Sequence, residues 1–432
     1  MSELEDWLEE LACKMVCDTS DDDLGVIQAG YTYLGQMISH DIVPPANISR
    51  HPRVVTPFLN LDSIYGALTD QDRWQDKHGN FLPGASKFDL PRNDRNVAQI
   101  PEPRNDDNLI IAQMHALWQR IHKAVNDFGG DGTTLSVREQ VVLLFQLVVV
   151  EDFLKQLLDH RVFDACFIQG KKYLGLPGTE IPAEFALAGF RFGHSMVRAD
   201  YQLNSKNREM PLEKLLKPNE PIAPEHEIIW AHFFSGSDAP GVSAQVSNRI
   251  NTHIADPMHK IPSIRQGEEP TNIARANLKA GQKAGLQPGN LLALEIVQNL
   301  PDENRQGRRE PPPTLGLVPL GNENTTALGV NTNKLPLWPY VLLEAEVHHF
   351  GLHLGVLGSM IVAETLWHAI SEAESSVIQR GIYDFDSVMA RLGGLGRELL
   401  RIVGNHASQD RFGRRIAMHH LIHFVDVEEK IS

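Results

Sequence analysis

Apolar positions recur at helical spacing over most of the chain, and the alternation that marks a strand is scarce. The spacing predicts helices over 109–127, 136–160, 183–198, 338–353, 357–379 and 385–403. In LIIAQMHALWQRIHKAV, Leu109, Ile110, Met114, Leu117, Ile121 and Val125 fall on one stripe while Gln119, Arg120 and Lys123 lie off it, the pattern of a helix with one face on a core. The N-terminal MSELEDWLEELACKMV is amphipathic in the same way. Between the helices run Pro-, Gly- and Asn-rich connections at 42–108, 200–225, 255–272 and 301–336. Loops this long are uncommon in a compact fold unless they wrap a functional site or a cofactor. The pattern therefore predicts a mainly α fold, a single large helical domain with long loops and little β, built around something large.

Composition narrows the function classes. A hydrophobic share of 42% with 22% charged residues is globular. The formal charge of -15 argues against a nucleic-acid partner held through phosphate contacts. The longest apolar run, 141–150, is interrupted by Gln146 and closed by Glu151, short of the ~20 residues that a membrane span needs. It should be a buried helix. The first residues are acidic where an export signal needs positive charge, and Cys13, Cys17 and Cys166 make an odd set better suited to reduced thiols in a cytoplasm than to disulfides. The Cys13/Cys17 pair is half a zinc site.

Chemistry concentrates in a few segments. In GYTYLGQMISHDIVPP, Gln36 and His40 are one helical turn apart and share a face, so an amide and an imidazole project into one place. Alone, His40 reads more readily as a satisfied core histidine than as a catalyst. Asp41 follows it, and TPFLNLDSIYG presents Thr56, the Phe58 carbonyl, Asn60 and Asp62 at alternate positions, hard oxygens that suit calcium or an Asx-rich turn. Arg104 stands in a Pro-bounded loop before the helix at Leu109, placed to enter a pocket or to pair with Asp106 or Asp107 at the surface. In EFALAGFRFGHSMV, Gly189 and Gly193 leave room for a flat group beside Arg191 and His194, and His194 reads as an axial ligand or as a buried hydrogen-bonded histidine. Glu346, His349 and His353, with Glu364 and His368, supply one Glu-x-x-His pair of a carboxylate-bridged di-iron bundle, or a solvated or subunit-contacting face that leaves oligomerisation open.

Together and in this order, these pieces resemble the animal-type haem peroxidases of the peroxidase–cyclooxygenase superfamily, most closely its bacterial members. GQMISHD is similar to the family's distal segment, commonly GQFIDHD, and RFGHSMVR to its proximal-histidine segment. PRNDDNLIIAQMHALWQRIH is similar to the arginine-bearing loop and the helix behind it, and TNIARANLKAGQKAGL to the family's ALNLQRGRxxGL stretch. The resemblance runs from about residue 25 to about residue 370. It implies a helical extension over 1–24 and a haem peroxidase domain over 25–432.

What the resemblance implies for roles is specific. His40 would be the distal acid–base, Arg104 the distal arginine, Gln36 the amide over the iron, and His194 the proximal ligand with Asn277 accepting its imidazole N–H. Asp41, Thr56, Phe58, Asn60 and Asp62 would hold calcium. Ser39 and Asp107 stand where mammalian members esterify haem; serine cannot form that ester and aspartate is one methylene shorter than glutamate, so haem b held without a covalent bond is expected. Hydrogen peroxide and a small organic reductant, or a halide, are the implied substrates. The alternative within the fold is a fatty-acid dioxygenase. That branch carries a radical tyrosine three residues before the proximal histidine, where this chain has Arg191, with Tyr201 the remaining tyrosine nearby in sequence. A haem-binding protein without turnover is a further alternative.

Overall fold

The structure, a computed structural model, describes residues 3–17, 23–45, 56–66, 71–175, 180–234, 242–261, 270–299, 315–321, 328–406 and 415–431. Most of the 301–336 connection lies outside the described residues. The longer helices, in chain order, are α1 (Glu3–Lys14), α2 (Gly30–Ile42), α3 (Leu109–Phe128), α4 (Val137–Val148), α5 (Ile273–Lys283), α6 (Leu337–His349), α7 (Val356–Ser371), α8 (Gly394–His406) and α9 (Met418–Ile431). Strands among the described residues form only two-stranded ladders, such as the parallel pairing of Val16–Cys17 with Ile254–Ala255.

Helix ends follow from local chemistry. At the start of α3, Asn108 accepts hydrogen bonds from the amides of Ile110 and Ile111, and Gly129 ends it in the left-handed region at φ 57°. A capping box of Ser136 and Glu139 opens α4, an arrangement typically worth about 1 kcal/mol. Helix α2 stops where Pro44 and Pro45 follow, because a residue before proline is pushed out of the helical region; Val43 is extended at φ -95°, ψ 118°.

Two of the expected helices end early, 338–353 at His349 before Phe350 in the left-handed region at φ 56°, and 357–379 at Ser371; three others are broken. The 136–160 run continues past α4 as a π-helical turn, Val149–Leu154, that carries the buried Glu151 and Asp152. Tyr31 donates to both Asp152 oxygens at 2.8 and 2.7 Å, and the Met418 amide donates to one of them at 2.7 Å. The 183–198 run breaks at Ala188 (φ -140°, ψ -72°) into a short helix, Ala183–Leu187, and a 3₁₀ turn, Gly189–His194. The 385–403 run splits at Gly393, whose φ of +60° is unfavourable for other residues and whose missing Cβ would lie 2.6 Å from the Asp131 carbonyl. Periodicity reports which face is apolar and is blind to such backbone demands.

Contacts gather the chain into two compact units. One comprises Met1–Ile27, Leu157–Ala199 and Ser247–Trp367; the other comprises Gln28–Gln156, Asp200–Val246 and His368–Ser432. In the second unit Trp118 packs edge-on against Phe145 at 4.9 Å, and α2 is buried along most of its length. Gly30 permits that burial: a Cβ there would stand 2.5 Å from the Phe234 ring. In the first unit Gly189 lies so close to α7 that a Cβ would meet Ile361 at 2.6 Å, which fixes the 3₁₀ turn carrying His194 against that helix.

Candidate functional site

Helix α2 presents His40 near its C-terminal end, buried, with Gln36 one turn earlier and partly accessible. The His40 Nδ1 lies 2.8 Å from the Asn105 Oδ1. An amide oxygen only accepts, so His40 carries its proton on Nδ1 and Nε2 is the basic nitrogen. The Asn105 amide nitrogen donates to the His115 Nδ1 at 3.0 Å, and the His115 Nε2 lies 3.1 Å from the Gln119 side-chain amide. With the Asn105 oxygen facing His40, its nitrogen donates to the His115 Nδ1, so the His115 Nε2 carries the proton and Gln119 turns its amide oxygen toward it. Neither Asn105 nor His115 was singled out by sequence reasoning; the available signal was the one-turn spacing of His115 and Gln119 on α3 directly behind Arg104.

The structure places Arg104 beside the C-terminal end of α2. Its surface-pairing alternative names the wrong partner: Asp106 pairs with Arg92 at 2.7 Å, whereas Arg104 pairs with the buried Glu102 at 2.9 Å. The Arg104 Nη2 also donates to the carbonyls of His40 (3.0 Å) and Val43 (2.9 Å), closing orphan carbonyls at the end of α2. Nη1 makes none of these bonds. Gln36 accepts from the Asn108 side chain at 3.3 Å, so α2 and the start of α3 are tied at the same level. Ser39 is partly accessible on α2.

Asp107 stands beside this set. Burial pushes its carboxyl up to about 7, with Arg104 pulling down and Glu102 and Asp106 pushing up. The folded protein then holds a proton that the unfolded chain releases near its ordinary value, so this contribution to stability is present in acid and lost as pH rises through about 7. Asp107→Asn should melt higher than the natural protein at pH 8 and match it at pH 4, with an upper bound of about 4 kcal/mol on the difference. Glu344, also raised to about 7 by burial, leaves a residual slope in both proteins. Equal melting curves at pH 8 would remove Asp107 as the cause.

The oxygen-rich segment does not gather around a cation position. Both Asp41 oxygens accept backbone amides, from Leu61 at 3.0 Å and Ser63 at 2.8 Å. Asn60 Oδ1 accepts from the Glu374 amide at 3.0 Å, and Asp62 accepts from the Thr56 hydroxyl at 2.6 Å. Arg138, from α4, stands 3.3 Å from the other Asp62 oxygen. Among the described residues no group of three or more His, Cys, Asp or Glu side chains is placed to hold a metal ion. Asp41 and Asn60 are committed to backbone amides and Arg138 supplies positive charge at Asp62, so the residues so arranged do not fit the expected calcium.

In the other unit, His194 ends the 3₁₀ turn and Asn277, buried in α5, meets it at 2.8 Å. The direction of that bond differs from expectation. Arg191 donates to the Asn277 Oδ1 at 2.7 Å, and a guanidinium has no lone pair to offer, so the amide turns its N–H toward the His194 Nδ1. Burial, and then the Arg191 charge, hold the His194 imidazolium down to about 3, so the ring is neutral and a lone-pair donor. Nε2 has no hydrogen-bond partner among the described residues. Gly193 is partly accessible, and a Cβ built on it would meet nothing within 4 Å. A neutral imidazole of this kind could hold the iron of a flat macrocycle, and Gly193 leaves its own Cβ position open. Were iron bound through Nε2, the ring proton would have to lie on Nδ1, and Asn277 could accept it only by turning its oxygen away from Arg191.

The remaining candidates do not assemble a second centre. Glu346 accepts from the Thr252 hydroxyl at 3.2 Å, Glu364 from the Tyr173 amide at 2.6 Å, and His349 stacks on His353 at 4.1 Å, so the di-iron arrangement is not formed. His368 lies at the end of α7 in the other unit. Tyr201 is fully buried, edge-on to Tyr33 at 5.6 Å and stacked on Phe233 at 6.0 Å. Cys13 and Cys166 are free thiols. No helix among the described residues is long and apolar enough to cross a membrane.

Comparison with known proteins adds family and fold. Residues 53–260 match the family model described as animal haem peroxidase. A search of curated proteins gave no match. Among solved structures, peroxidase A from Dictyostelium discoideum is similar at TM-score 0.60 and 13% identity, over 95% of this chain and 90% of that one. The Oryza sativa fatty acid alpha-dioxygenase is similar at TM-score 0.65 and 11% identity, over 99% and 81%. Its Arabidopsis thaliana counterpart is similar at 0.59 and 12%, over 93% and 75%. At these identities the likeness is one of fold. Residues 53–260 thus match the animal haem peroxidase model, and the chain shares the mainly helical fold of these solved structures.

Proposed function

We propose that this protein is a haem-dependent peroxidase that uses hydrogen peroxide to oxidise a small organic molecule or a halide, with haem b held non-covalently. The observation that carries the reading is the Asn105 Oδ1 at 2.8 Å from the His40 Nδ1, an arrangement that leaves Nε2 as the base. His40 takes a proton from one peroxide oxygen and returns it to the other, which departs as water. Arg104, through Nη1, stabilises the negative charge that develops on the departing oxygen, and Glu102 holds its guanidinium in place. Gln36 orders water or a halide. His194 supplies the axial ligand. Haem, when bound, supplies the two electrons that cleave the O–O bond. Ser39 cannot form an ester, and acid extraction with organic solvent should strip the haem; haem staying on the protein would place an ester at Asp107.

The fatty-acid dioxygenase reading has one support, the fold shared with the plant alpha-dioxygenases, one of which was solved with palmitic acid. Against it, Arg191 occupies the position of the radical tyrosine and is committed to Asn277 and the Ala186 carbonyl. A single experiment separates the two. The haem-loaded protein, identified by its Soret band, is given peroxide with phenolic or halide donors, and separately palmitic acid with oxygen. Donor oxidation that depends on peroxide, without oxygen uptake on palmitic acid, is the expected result. Oxygen uptake with the fatty acid and no donor oxidation would replace peroxidase with dioxygenase.

A further inference from the structure

We infer that Arg138 takes the place of a metal ion in the loop that fastens the distal helix, making this loop independent of calcium. Thr56, Asn60 and Asp62 bring oxygens to one short segment, and Asp41 reaches it from the end of α2. Such a set needs positive charge. The guanidinium of Arg138 supplies it, 3.3 Å from Asp62, with both side chains largely buried at 13% and 7% exposure. The same guanidinium lies over the Tyr65 ring at 5.0 Å, so its position is fixed from two sides.

The connection to the site is short. Arg138 holds Asp62; the amides on either side of Asp62, those of Leu61 and Ser63, hold the two oxygens of Asp41; and Asp41 is the neighbour of His40 on α2. Arg138 is therefore a positioning residue for the distal helix. A divalent ion on Asp62 would have to sit against this guanidinium, and the repulsion in a poorly solvated place disfavours it. A cavity of about 370 Å³ lined by Asn60, Ser136, Arg138, Glu139 and Glu374 opens on the Arg138 side of the pair.

The test reads metal content and melting temperature of the full-length protein, so it stands or falls apart from the peroxidase reading. The natural protein should carry no stoichiometric calcium after dialysis against EDTA, and its melting temperature should be the same in EDTA and in millimolar calcium chloride. Arg138→Ala should melt several degrees lower in EDTA and regain most of that loss in calcium chloride but not in potassium chloride, because the vacated charge leaves the oxygens of Asp62 and Thr56 to a cation. Should Arg138→Ala fail to fold, Arg138→Lys keeps the charge and should melt without a calcium response. Stoichiometric calcium in the natural protein with a lower melting temperature in EDTA would overturn the inference. So would a calcium response in Arg138→Lys, or an Arg138→Ala loss that calcium does not restore, since packing alone then accounts for the residue.

Discussion

His194→Ala is expected to abolish the Soret band of the reconstituted protein while leaving its helical content intact. His194 sits on a 3₁₀ turn locked against α7, and its neutral ring is a ready donor at every pH above about 3. Losing a partner that only orients a ligand typically costs about 10–100-fold in metal affinity. Removing the ligand itself should cost more, so a haem titration followed at the Soret wavelength should show binding weakened by more than about 100-fold. Asn277→Ala belongs in the lower range, because it releases Arg191 and the ring together but leaves the donor nitrogen. Full haem occupancy with an unaltered spectrum in His194→Ala would show that the iron is held elsewhere.

How far the sequence reaches is seen in the two histidines. His40 is legible because Gln36 and Asp41 flank it at helical spacing in a run that Pro44 and Pro45 terminate, and all of that is local. The helix around His194 is less so. The apolar stretch reads as one helix from 183 to 198, yet close packing of Gly189 on Ile361 breaks it, a cause that lies far away in sequence. The same limit hid the relay behind His40. Asn105 follows Arg104 directly, but its value depends on meeting His40 across 65 positions and His115 across ten, which no periodicity encodes. The oxygen-rich loop differs again: its donor types suit calcium, and no local pattern announces that Arg138 from α4 comes within 3.3 Å of Asp62.

Electrostatics then decides how the distal residues share the work. Arg104 brings a guanidinium to the site, but Glu102 pairs with it at 2.9 Å and two carbonyls hold its Nη2. Its net pull on a developing anion is therefore directional, through Nη1, more than long-range. On the peroxidase reading the proton transfer would fall on His40, since Gln36 and Asn105 have no basic nitrogen.

His40→Leu should keep the haem and lose the reaction. Leucine fills a similar volume in a largely apolar helix, so α2 and its hold on Asp41 should survive, and the Soret band should remain. What disappears is the group that shuttles the proton between the two peroxide oxygens, a role worth about 10²–10⁴ in rate. In rapid mixing, the second-order rate constant for the peroxide-dependent shift of the Soret band should fall by that factor, and the pH dependence contributed by one titrating base should vanish with it. Asn105→Leu should fall between the two proteins and keep a pH dependence, because His40 remains but its Nδ1 loses the acceptor that fixes the tautomer. A His40→Leu variant that reacts with peroxide at the natural rate would move the base to another residue and, with it, the reason for reading this helix as the reacting side.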